Sequence, residues 1–101
     1  MKLATFAAAM MIAAPAIAET PETTCGMFGD LAYQIMELRQ KDAPMAAMVD
    51  AMADNPAREL IVAIIIDAYD QPSYSVHDNQ REAAAEFRND IYLACIKEVR
   101  Q

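Results

Sequence analysis

The chain has 101 residues, with 15 acidic side chains against 8 basic ones, a formal net charge of −7, two cysteines and two glycines. The acidic balance argues against a nucleic-acid partner, because contacts to phosphates need clustered lysine and arginine. The scarcity of glycine argues against an all-β fold with many tight turns. A chain of this length is enough for one domain and not two.

Residues 1–18 have the pattern of a secretory signal peptide. Lys2 supplies the positive start, residues 3–14 are apolar, and Ala16-Ile17-Ala18 offers small residues for cleavage. The apolar run is shorter than the roughly 20 residues of a membrane-spanning helix, which disfavours the alternative of a retained anchor. We therefore expect a periplasmic or secreted protein, with a single helical domain at 19–101 and no membrane span in the mature chain.

Cleavage would remove Lys2 and no acidic residue, so the net charge would change from −7 to −8. Cys25 and Cys95 would both remain, near the two ends of the mature chain. An even number of cysteines in an exported protein predicts a disulfide bond. A redox-active pair is the weaker alternative, because such cysteines usually lie two residues apart.

Hydrophobic periodicity predicts an all-α fold, a small bundle of about four helices closed by the Cys25–Cys95 disulfide. The first helix is expected from Cys25 to about Gln40, with Thr23 or Thr24 as its N-cap. A short second helix follows Asp42, which we expect to cap it, with Pro44 in its first turn. The disulfide would join the start of the first helix to the end of the last, so these two should be antiparallel.

The third helix is predicted from Pro56 to about Tyr69, with Asn55 as its cap. Its centre, residues 60–66, is apolar on every side, which is typical of a helix buried in the middle of its domain. A buried strand is the alternative, because five of these seven residues are β-branched. The last helix is expected to run to about Val99.

A capping box of Ser75 and Asp78 is predicted to begin this last helix. His77, the one histidine of the chain, lies within the same segment, close to Ser73. A serine, a histidine and an aspartate could form a catalytic triad, but triads are normally assembled from separate parts of the chain. Capping is the better interpretation, and we expect no catalytic residues and a protein that is not an enzyme.

Metal and cofactor sites are also not expected. One histidine and two bridged cysteines leave too few ligands for zinc, and the aspartates are too dispersed for a calcium loop. The thioethers of Met45, Met48 and Met52 are soft ligands that suit copper(I). Their helical spacing is equally that of a core face or of a pliable contact surface, and the sequence does not decide between these two.

Two surface features are candidates for contact with a partner. Tyr74 and His77 lie in the segment between the last two helices, and aromatic side chains are common at binding hot spots. A tyrosine that packs within the loop is the alternative and the more common arrangement. Glu82, Glu86 and Asp90 are spaced four residues apart on the last helix. This spacing is typical of a solvated face, and it would also suit a basic partner.

The order of these features resembles that of a group of small exported helical proteins with two cysteines, found in proteobacteria and their phages. The matching pieces are Cys25 after the signal, Arg39-Gln40 at the end of the first helix, Ala68-Tyr69 with Pro72, and Phe87, Tyr92 and Cys95 near the C-terminus. The resemblance spans the mature chain and implies export and a disulfide. The group has no assigned activity, so it implies no mechanism and no functional residue.

Two functional hypotheses follow. The first is an exported, non-enzymatic binding or interaction protein that acts on an unknown partner, such as a protein of the cell envelope. The alternative is a periplasmic acid-stress chaperone that exposes apolar surface at low pH, since the chain carries many carboxylates.

Overall fold

The computed structural model describes residues 20–100, and the predicted signal peptide lies outside them. The described residues form four α-helices and no strand: α1 (Pro21–Gln40), α2 (Met45–Ala51), α3 (Arg58–Tyr69) and α4 (His77–Val99). The predicted all-α class is confirmed, and the apolar segment at residues 60–66 is helix rather than strand. Within the same residues, no helix is long and apolar enough to cross a lipid bilayer.

Helix α1 begins four residues earlier than its apolar pattern predicts. Thr20 is the N-cap, and its Oγ1 accepts a hydrogen bond from the backbone N–H of Thr23 at 3.1 Å. Pro21 occupies the start of the helix, where its missing N–H and fixed φ cost little. The predicted caps Thr23 and Thr24 were therefore wrong, because the polar residues before them already contain a cap, Thr20, followed by a proline that favours the first helical position.

The end of α1 is closed by Asp42, which adopts a left-handed conformation with φ 63°. The N–H of Ala43 donates to the carbonyl of Leu38 at 3.0 Å, and the N–H of Asp42 donates to that of Arg39 at 3.0 Å. These two bonds form a Schellman motif. The prediction that Asp42 caps the second helix was wrong, since Pro44 occupies that N-cap position.

Helices α3 and α4 also start differently from the prediction. Asn55 Oδ1 accepts a hydrogen bond from the N–H of Ala57 at 2.8 Å, but this closes a turn that precedes α3. Helix α4 begins at His77 without a side-chain cap. Asp78 forms an ion pair with Arg81 at 2.6 Å, so the predicted capping box was wrong.

Helices α1 and α4 form an antiparallel pair that is fastened at one end by the disulfide. The Cα atoms of Cys25 and Cys95 are 5.5 Å apart, and the bond confirms the predicted pairing. The helices approach closely beside Gly29, where a Cβ atom would lie 3.4 Å from Cγ of Arg88. The Arg88 guanidinium lies 4.3 Å from the centre of the Tyr33 ring, across the same seam.

The core lies where α3 packs on α1, with α4 closing one side. Its buried apolar residues come from three helices: Ala32, Ile35, Met36, Ile61, Ile64, Ile65, Ala68, Ala84 and Phe87. The prediction that helix α3 is buried in the middle of the domain was wrong, because Leu60 is 48% exposed and Ile66 is 46% exposed. The backbones of α3 and α4 each approach α1 more closely than they approach each other, although Ala84 and Phe87 of α4 share the core cluster with α3.

Helix α2 packs on α3 and contributes the methionine stripe to the edge of the core. Met45, Met48 and Met52 are partly buried and pack against the core residues. Of the two interpretations of this stripe, the structure therefore favours a core face over a free contact surface.

The disulfide should be the largest single contribution to stability. Its two half-cystines lie 70 residues apart, and closing a loop of that length reduces the entropy of the unfolded chain by an amount worth roughly 4 kcal/mol. We expect the Cys25→Ser/Cys95→Ser variant to lose about that much free energy of unfolding in urea titrations. An equal loss should follow when the wild type is reduced, and an unchanged urea midpoint after reduction would contradict this role.

Candidate functional site

Ser73 and His77, the residues of the disfavoured triad, form no hydrogen bond with each other in the described part of the chain. Ser73 Oγ donates a hydrogen bond to Asp42 Oδ1 at 3.5 Å, at the end of α1 rather than toward a histidine. His77 is exposed at the first position of α4, beside a shallow surface depression that also contains Glu37, Lys41 and Arg81. Among the described residues, no group of three His, Cys, Asp or Glu side chains is placed to hold a metal ion.

A buried amide anchors the loop between α3 and α4. Gln40 is 3% exposed, and its Nε2 donates to the carbonyl of Pro72 at 2.8 Å. Its Oε1 accepts the backbone N–H of Tyr74 at 2.7 Å. Gln80, from α4, donates to the carbonyl of Tyr74 at 2.7 Å. One side chain thus satisfies two backbone groups and orients the candidate contact Tyr74.

Arg39 and Tyr69 form a second polar contact beside this amide. The Arg39 guanidinium lies 5.0 Å from the centre of the Tyr69 ring, and its Nη2 donates to the carbonyl of Gln71 at 3.0 Å. The Tyr69 hydroxyl donates to the carbonyl of Ala43 and lies 3.1 Å from Sδ of Met48. These bonds hold the α1–α2 and α3–α4 connections together, which is a structural role.

Replacing Gln40 by glutamate should show how much the loop depends on this amide. At neutral pH, Gln40→Glu removes the donor to Pro72 and buries a charge, with an expected cost of about 3 kcal/mol. Burial should raise the pKa of the new carboxyl, so the cost should grow as the pH rises from about 4 and should disappear in acid. Urea denaturation at several pH values measures this. Gln34→Glu, on the exposed side of α1, is the control.

Burial raises the pKa of the Tyr69 phenol above its ordinary value of 10.0, with a smaller contribution from Asp42, while Arg39 lowers it. The protonated Tyr69 phenol therefore contributes to the stability of the folded protein. Because the pKa of the phenol is higher in the folded than in the unfolded state, this contribution is fully present below pH 10.0 and is lost as the pH rises through the raised pKa.

We expect Tyr69→Phe to cost about 1 kcal/mol at neutral pH and to flatten the decline of stability in alkali. Urea titrations from neutral pH into alkali check both effects, with Tyr92→Phe as the control at a half-exposed position. Equal alkaline slopes for wild type and Tyr69→Phe would show that ionisation of this phenol does not affect folding.

Tyr74 lies in a polar groove of about 250 Å³ between the α3–α4 loop and α4, which we call the Tyr74 groove. The tyrosine is 41% exposed. Glu82, Glu86 and Asp90 form the α4 wall of the same groove, so the structure brings this aromatic ring and the three predicted carboxylates together. His77 lines a different depression.

The second surface feature is an apolar groove of about 340 Å³ between α3 and α4, with α1 at its base. Its apolar lining comes from all three helices: Phe28, Leu60, Ala63, Ile64, Ile91 and Val99. Asp67 and Glu98 add one carboxylate to each wall, and the Cys25–Cys95 disulfide closes part of it through Cys95. We call this feature the apolar groove.

The apolar groove is open because α3 and α4 share α1 as their support and do not close on each other. Ile64 is 3% exposed at its base, whereas Leu60 and Val99 on its edges are 48% and 42% exposed. A concave apolar surface with exposed side chains on both edges is a candidate binding site.

Sequence reasoning missed the apolar groove. The sequence feature that could have indicated it is the apolar pattern of the third helix, which has more apolar sides than one neighbouring helix can cover. Periodicity showed those apolar sides but did not show that α4 leaves one of them open. Comparison with known proteins adds no assignment, since no protein-family model, curated protein or solved structure matches this chain.

Proposed function

We propose that the protein is exported and functions as a non-enzymatic binding or interaction protein whose contact surface is the apolar groove. The observation that carries this proposal is the pair of half-exposed side chains, Leu60 and Val99, on opposite walls of a concave apolar surface. An unoccupied surface of this kind exposes apolar area to water at a cost, and a partner that covers it gains that free energy.

Export is supported by two independent features. The sequence at residues 1–18 has the order of charge, apolar run and small residues of a signal peptide. The Cys25–Cys95 disulfide is of the kind that persists in oxidising compartments such as the periplasm. A periplasmic or secreted location, with an envelope protein as the partner, is therefore part of the proposal.

Site-specific crosslinking tests the binding function directly. We expect a photoreactive phenylalanine analogue at position 60, in the wild-type gene and its host cell, to give a discrete crosslinked polypeptide that mass spectrometry identifies. The same analogue at position 93 is the matched control, because Leu93 is 52% exposed on α4 but does not line the apolar groove. Val99→Gln should reduce the crosslink at position 60, because it removes the apolar contact on the facing wall.

Crosslinks of equal yield at positions 60 and 93 would indicate random collisions. No crosslink at position 60 would contradict the proposal that the apolar groove binds a partner.

The acid-stress chaperone is the second candidate, and one observation favours it. Asp67 and Glu98 are the charged residues on the walls of the apolar groove, and both are exposed. The other described residues that line the apolar groove are uncharged, which suits unfolded apolar clients. Protection of a client from aggregation at about pH 2.5 and not at neutral pH would support this candidate, and no protection at either pH would remove it.

A further inference from the structure

We infer that the apolar groove receives a short amphipathic α-helix whose apolar face is flanked by lysine or arginine. The inference rests on the binding function proposed above and adds the chemistry of the partner. Three features of the apolar groove support it: the length of its walls, the internal pairing of the backbone hydrogen-bonding groups of those walls, and the charges along them.

The walls have the length of about two helical turns. On α3 the lining runs from Leu60 to Asp67, and on α4 it runs from Ile91 to Val99. At a rise of 1.5 Å per residue these segments span about 10 and 12 Å. A helix of this length presents apolar side chains at positions i, i+3, i+4 and i+7, which is the pattern of helix-in-groove recognition.

The packing leaves a place for another helix. Helices α3 and α4 both lie on α1, and their C-terminal ends point in opposite directions, as in a helical bundle. The short helix α2 packs on α3 and contributes no residue to the apolar groove. A partner helix laid between α3 and α4 would cover Leu60 and Val99 together. With α1, α3 and α4 it would form a packed group of four helices.

An extended peptide fits this surface less well. Peptides that bind as strands need the open edge of a sheet, and all three elements around the apolar groove are helices, whose backbone groups are bonded internally. A helical partner satisfies its own backbone hydrogen bonds and contributes side chains alone, which is what this surface can accept.

Charge determines what should flank the apolar face. Asp67 on α3 and Glu98 on α4 are exposed carboxylates on facing walls, and no lysine or arginine is among the described residues that line the apolar groove. Basic residues on both sides of an apolar stripe would each meet one of these carboxylates. A second copy of this chain would bring the same carboxylates and a further net charge of −7, or −8 without residues 1–18, so repulsion disfavours it.

The test uses the exported protein with its disulfide intact and three synthetic peptides of 14 residues. The first has leucine at i, i+3, i+4 and i+7 and lysine at most other positions. The second replaces every lysine by glutamate, and the third is a scrambled version of the first. Binding is followed by chemical-shift changes of backbone amides in NMR spectra.

We expect the lysine peptide to shift amides along both walls of the apolar groove and to bind about tenfold more tightly than the glutamate peptide. Leu60→Gln should weaken it about tenfold, whereas Leu93→Gln, an equally exposed leucine outside the apolar groove, should not. Asp67→Asn/Glu98→Gln should remove most of the preference for lysine over glutamate. The scrambled peptide measures attraction to the acidic surface in general and should not shift those wall amides selectively.

Each other result overturns the inference in a recognisable way. Equal binding of the lysine and glutamate peptides in the apolar groove would remove the basic partner but would leave the binding function intact. No selective shifts with either amphipathic peptide would remove the helical partner, while the crosslink at position 60 would still decide the binding function. A dimer of the free protein that Leu60→Gln dissolves would make the occupant a second copy.

Discussion

The disulfide between Cys25 and Cys95 is the constraint on which the rest of the arrangement depends. It joins the beginning of α1 to the end of α4 and so holds these two long helices antiparallel. A chain that folds into so small a domain buries a modest fraction of its surface, and a covalent link of this kind supplies stability that the core does not. Its position also matters, because the link forms part of the wall of the apolar groove.

The opposite end of the α1–α4 pair is held by hydrogen bonds instead of a covalent bond. Gln40 joins α1 to the loop after α3, and Gln80 joins the same loop to α4. Helix α3 has its closest backbone approach to α1, and it shares the core cluster with Ala84 and Phe87 of α4. The apolar groove lies between residues 60–67 of α3 and residues 91–99 of α4, on the disulfide end of this pair.

The sequence was sufficient for features that depend on composition and local spacing. The helical class and the pairing of Cys25 with Cys95 follow from such patterns. It failed at helix starts, where Thr20 with Pro21 competes with the later threonines, and at Asp42, whose left-handed conformation depends on the whole end of α1. The buried amide of Gln40 also escaped prediction, since its partners lie more than 30 residues away along the chain.

The apolar groove could not be predicted from the sequence for a further reason, which is relevant to function. An apolar stripe in a sequence indicates that its side chains are more stable away from water, but it does not indicate which part of the chain or which partner covers them. In α3 the buried side is covered by α1, but Leu60 remains half-exposed in the folded chain. The large negative charge keeps such a molecule soluble while this surface is open, because copies repel one another. The net negative charge keeps copies of the protein apart, and the apolar groove, with Asp67 and Glu98 on its walls, is the surface on which we propose that a partner of opposite charge binds.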